Sequence, residues 1–131
     1  MPIVTIECVV GESSKKYDAS KTQSLSDKLG RVFGSEPGTT WIKLHYLDQA
    51  NYAENDAELD KTALPTFVNV LLRSLPDEDQ LAITAQHIAT CVSESLVRLK
   101  ENIHVIFEPE GFGRVAFGGV LLKKPNQKND T

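Results

Sequence analysis

Cysteine is scarce in this sequence: of 131 residues only Cys8 and Cys91 carry a thiol, and no C-x-x-C or other metal-ligand spacing connects them. Both read as packed thiols, since free cysteine is among the most buried residue types. The three histidines, His45, His87 and His104, show no i, i+4 pairing and no cysteine neighbour, so the pattern offers no structural zinc site. Long apolar runs are also missing. None approaches the roughly 18 residues of a membrane span, and no basic segment followed by an apolar core opens the chain. These absences predict a cytoplasmic protein with no membrane partner. Positive charge is not in excess either: the net charge is -4 and the isoelectric point about 5.3, which argues against nucleic acid or an anionic membrane as partner. Function is expected to reside in a local site.

What remains is an ordinary globular composition, 40% hydrophobic and 24% charged, enough for one hydrophobic core. "PIVTIECVV" is rich in β-branched apolar residues and reads as a strand over 2–10. Leu25, Leu29, Val32 and Phe33 recur at helical spacing, and Gly34, Pro37 and Gly38 end a helix placed over 18–34. "TTWIKLHYLD" is a second strand, with Trp41, Lys43 and His45 on one side of it. The second half repeats the order. "TFVNVLLRSL" reads as a strand, and Pro76 with Asp77, Glu78 and Asp79 suits the first turn of a helix running through "KEN". Leu81, Ala85, Ile88, Val92, Leu96 and Leu99 form its apolar stripe. "NIHVIFE" is the last strand.

Two tandem βαβ units, 2–60 and 65–122, are therefore predicted to build a single α+β domain over 1–122, followed by a polar tail at 123–131. Right-handed crossovers make each unit a parallel pair, and together they give a four-stranded mixed sheet with two helices on one face. The opposite face has nothing left in the chain to cover it. Yet "FVNVLL" and "IHVIF" are apolar at nearly every position, as strands buried on both faces are. A homo-oligomer packing sheet against sheet is the expected solution. The glycine-rich "PEGFGRVAFGG" follows a strand but precedes "VLLKKP" instead of a helix, which favours a hairpin over a phosphate cradle.

Pro2 has two readings. Proline is tolerated at the first position of a strand, where its missing N–H costs the ladder nothing. Once Met1 is removed, which is the expectation for methionine before proline, Pro2 instead carries a free secondary amine, both base and nucleophile.

The amino-terminal Met-Pro at the head of a strand, the duplicated βαβ unit and the hairpin segment "FGRVAFGG" together resemble the tautomerase superfamily, over roughly residues 2–122. The resemblance implies a trimer, no cofactor and no metal, with Pro2 as the catalytic acid or base. It also implies an arginine at the end of the first strand of a unit and another inside the second. Here Gly11 and Glu12 stand at the first place, Arg73 follows the third strand, and Lys43 and His104 stand where the second-strand arginine belongs. The candidate substrate-binding residues are accordingly Arg73, Lys43 and Arg114, which suit a carboxylate or an enolate oxygen, and Tyr52 and Asn55, which suit a carbonyl.

An amine in an apolar pocket beside cations loses basicity, because the charged form is disfavoured. A neutral Pro2 nitrogen can take a proton from carbon next to a carbonyl and return it elsewhere. The activity this implies is a cofactor-independent isomerase, a keto–enol tautomerase acting on small anionic 2-keto or enol acids. Two alternatives stand beside it: a hydratase, dehalogenase or decarboxylase in which protonated Pro2 is an acid, and a non-catalytic oligomeric or signalling protein on the same fold.

Overall fold

The computed structural model describes residues 2–11 and 19–125. Met1, residues 12–18 and residues 126–131 lie outside the described residues, and with them the expected helix start at 18 and most of the expected polar tail. The chain order is β1 (Ile3–Val10), α1 (Ala19–Phe33), β2 (Trp41–Asp48), β3 (Thr66–Leu71), α2 (Glu78–Leu96) and β4 (Ile103–Phe107). A short hairpin of β5 (Ala116–Phe117) and β6 (Val120–Leu121) follows. The four long strands form one sheet in the order β2-β1-β3-β4. β1 runs parallel to β2 and β3 parallel to β4, while β1 and β3 are antiparallel. This is the mixed sheet expected of two βαβ units.

Strand alternation sorts the residues into two faces. Val4, Ile6, Cys8 and Val10 of β1 and Val68 and Val70 of β3 point into the core. There they meet Leu25 and Leu29 of α1 and Ile88, Ala89, Val92 and Leu96 of α2. Thr66 is the polar exception in this layer; its hydroxyl is fully buried and donates to the Cys8 sulfur at 3.6 Å. Cys91 is half-buried, and burial raises its thiol pKa above the ordinary value, so both cysteines are the packed thiols expected.

On the other face the ladder aligns His45, Glu7, Phe67 and His104 in one row and Lys43, Thr5, Asn69 and Ile106 in the next. Neither α1 nor α2 covers them. Trp41 and Ile106 remain 44% and 46% exposed. Only the far end is closed: Val9 is fully buried, and Tyr52, from the linker after β2, packs on Phe67 with ring centroids 6.0 Å apart.

Two elements end earlier than their composition predicts. β3 stops at Leu71, and the remaining apolar residues of "LLRSL" leave the ladder in a bend, which takes Arg73 off the strand. α2 stops at Leu96, where Val97 adopts the left-handed conformation (φ 54°, ψ 56°) and donates to the Ser93 carbonyl. A β-branched residue seldom takes this place, which glycine usually fills, so composition gave no stop signal. Leu99, the last member of the expected stripe, is consequently 59% exposed. The glycine-rich segment is the expected hairpin. Gly118 and Gly119, with φ of 58° and 86°, make the two-residue turn that needs positive φ at both positions.

Candidate functional site

The register of β1 against β3 places the site. Ile3 pairs with Leu71, so one further step sets Pro2 opposite Leu72, with Arg73 next along the chain. Pro2 is buried. Its carbonyl accepts from the Trp41 N–H at 3.0 Å, which begins the β1/β2 ladder. The head of a central strand is thus held on both sides, and the proline nitrogen need not donate to either neighbour.

Above it opens a cleft of about 530 Å³ between the C-terminal end of α1 and the N-terminal end of α2. Pro2, Leu72 and Arg73 come from the sheet end, and Val32 and Phe33 from α1. Pro76, Gln80 and Thr84 close it from the α2 side. Gly34 makes room where α1 ends: its φ of 62° carries the chain out of the helix, and the Ser35 N–H returns to the Gly30 carbonyl at 2.8 Å. Ser35, Thr39 and Ser74 add hydroxyls to the lining.

Arg73 is exposed, and its guanidinium forms no hydrogen bond or ion pair with any described residue. Its backbone is fixed nonetheless, because the Leu72 and Arg73 carbonyls accept from the Gly111 and Phe112 N–H groups at 2.7 and 3.0 Å. A Cβ at Gly111 would lie 3.3 Å from the Leu72 carbonyl oxygen, so the close docking of this turn depends on glycine. What the cleft offers chemically is a buried strand-head proline, one uncommitted cation, an apolar wall and neutral hydrogen-bonding groups.

Of the residues singled out from sequence, the structure brings Pro2 and Arg73 together. The others lie elsewhere in the chain. Lys43 stands mid-strand on the helix-free face, paired with Thr5. Tyr52 donates to the Glu54 carboxylate at 2.6 Å; that bond, with smaller contributions from burial and the charge, raises the phenol pKa. Asn55 is exposed in the same linker. Arg114 is exposed in the turn that docks on Arg73, its N–H donating to the Gly111 carbonyl at 2.9 Å, but it does not line the cleft. Gln80 and Thr84 were not apparent as site residues. Their i, i+4 spacing beside the apolar stripe of α2 was the one available signal, and it looks like any solvated helix flank. No group of three or more His, Cys, Asp or Glu side chains among the described residues is arranged to hold a metal, and no described helix is long and apolar enough to cross a membrane.

No protein-family model matches the sequence, and no curated protein matches it. Solved structures do. Macrophage migration inhibitory factor from Oncomelania hupensis superposes with a TM-score of 0.71 at 17% identity, covering 99% of this chain and 88% of that one. A protein designated Pt0534, solved after inactivation by 2-oxo-3-pentynoate, gives 0.68 at 16% identity over 91% and 94% of the two chains. A fused 4-OT described as a symmetric trimer gives 0.63 at 16% identity over 82% and 84%. With agreement of this extent over nearly the whole described chain, the protein has the fold of the tautomerase and macrophage migration inhibitory factor superfamily.

Proposed function

We propose that the protein is a cofactor-independent tautomerase that moves a proton on a small 2-keto or enol acid, with the amino-terminal nitrogen of Pro2 as general base. The observation that carries this reading is the shared cleft: the buried strand-head proline and a cation with no partner among the described residues line the same cavity. Once Met1 is removed, the Pro2 nitrogen is a secondary amine at the floor of a partly apolar site, where the ammonium form is disfavoured. Arg73 binds the substrate carboxylate through charge-assisted hydrogen bonds. The nitrogen removes a proton from the carbon next to the carbonyl, negative charge develops on the carbonyl oxygen, and the proton returns to complete the enol or the shifted double bond.

The test uses the reagent that inactivated Pt0534. An acetylenic 2-keto acid adds to an unprotonated amine, so 2-oxo-3-pentynoate is expected to form one adduct, mapped by peptide mass spectrometry to Pro2, in step with loss of tautomerase activity. Inactivation with the label on any other residue rules out Pro2 as the base.

The same reading extends to assembly. The helix-free face exposes Trp41 and Ile106 and also carries Phe67 and Leu71, and one similar structure is a symmetric trimer. We infer a homotrimer in which these faces turn inward and the helices face solvent. Sedimentation velocity at micromolar concentration is expected to show the trimer; a stable monomer contradicts it.

A further inference from the structure

We propose that Gln80, with Thr84 beside it, determines the specificity of the cleft, selecting substrates with a single carboxylate and a neutral far end; this rests on the tautomerase reading above. The argument is one of charge. Among the described residues that line the cleft, Arg73 is the one cationic side chain. The same cavity is lined by Val32, Phe33 and Leu72 and by the first two turns of α2, where Gln80 and Thr84 lie with Nε2 and Oγ1 3.5 Å apart. Both are neutral, and between them they offer donors and acceptors.

Behind this wall the helix begins with Asp77, Glu78 and Asp79, all exposed. One Asp77 oxygen accepts from the Gln80 N–H at 2.9 Å, which fixes the start of α2 and hence the position of Gln80. The adjoining groove, beyond the Gly34–Ser35 turn, holds Arg31 together with Asp27 and Glu36, a set with net negative charge. A substrate with carboxylates at both ends, one of them on Arg73, would place the second against a neutral amide on a helix whose first turn is acidic. A methyl group or carboxamide there meets no such repulsion, and a carboxamide can hydrogen-bond to Gln80 and Thr84.

Three 2-oxo acids of equal chain length separate the possibilities: 2-oxoadipate, its 6-carboxamide, and 2-oxohexanoate. Enzyme-catalysed deuterium exchange at C3, followed by NMR, gives kcat/KM for each, and isothermal titration calorimetry gives their Kd. The unsubstituted protein is expected to favour the carboxamide and 2-oxohexanoate over 2-oxoadipate by about tenfold. Gln80→Lys, at an exposed helical position that suits lysine, should reverse that order, whereas Arg73→Ala should weaken all three. Equal or better use of 2-oxoadipate by the unsubstituted protein overturns the selectivity. An unchanged order in Gln80→Lys overturns the role of Gln80. If no exchange occurs with any of the three while calorimetry still ranks 2-oxoadipate weakest, the selectivity stands and the tautomerase reading fails.

Discussion

The two ends of the β1–β3 pair are built alike and used differently. Pro2 precedes the first residue of β1, and Pro65 precedes the first residue of β3. Both are buried, and each carbonyl accepts from a neighbouring strand, Pro2 from Trp41 at 3.0 Å and Pro65 from Val9 at 3.1 Å. Each end also has an arginine. At the Pro65 end Arg98 is half-buried and donates to the Leu64 carbonyl at 3.0 Å and the Val9 carbonyl at 2.7 Å. At the Pro2 end Arg73 donates to no described residue. One guanidinium is part of the scaffold, while the other faces a cleft. Pro65 sits inside the chain, so its nitrogen is an amide. The repeat supplies the geometry twice, and on the tautomerase reading only the Pro2 end becomes chemistry.

Exchanging the prolines tests that contrast most severely. Pro2→Ala is expected to keep the fold and lose about 10²–10⁴ in kcat/KM, the usual worth of a positioned acid–base group. Pro65→Ala should cost about 1–3 kcal/mol of stability, through the lost burial of ring methylenes and greater freedom of the unfolded chain, and leave turnover unchanged. Full activity in Pro2→Ala would reduce Pro2 to a strand starter, equivalent to Pro65. The arginines should separate the same way with smaller effects. Arg73→Ala is expected to lower kcat/KM by about 10–100-fold, since hydrogen bonds to charged groups contribute roughly 1.5–3 kcal/mol, with an unchanged urea midpoint. Arg98→Ala should instead lower stability by about 1–3 kcal/mol by leaving two carbonyls without their donor, with kcat/KM retained. If the two phenotypes are exchanged, the assignment of scaffold and site is reversed.

The fold was legible because its signals are local and repeat. β-Branched runs marked β1, β2 and β4, the helical spacing of Leu25 and Leu29 marked α1, and the Gly118–Gly119 pair marked the hairpin. The ends of β3 and α2 were not legible, since Leu72 and Leu75 fit a strand by composition and Val97 gives no warning that it will turn left-handed. In the site, Pro2 stood out because a chain-start proline has special chemistry. Arg73 was named beside it through the family resemblance, while the spacing alone does not show the antiparallel register that joins residues some seventy apart. Lys43 was grouped with Trp41 and His45 on one side of β2, as the register has it, but one sequence does not show which face of the sheet borders a cavity. Gln80 and Thr84 were invisible for the same reason.

The central position of β1 also sets an order of events in time. β1 is made first, yet its partners are β2, complete only at Asp48, and β3, complete only at Leu71. At a synthesis rate of roughly 5–20 residues per second, the strand waits several seconds with neither edge paired. During that wait the segment around Pro2 is open to a peptidase, whereas afterwards Pro2 is buried at the head of an interior strand. The interval before β3 emerges is therefore the time in which the head of β1 has no strand beside it, and on the tautomerase reading it is the interval in which the Pro2 amine would be exposed.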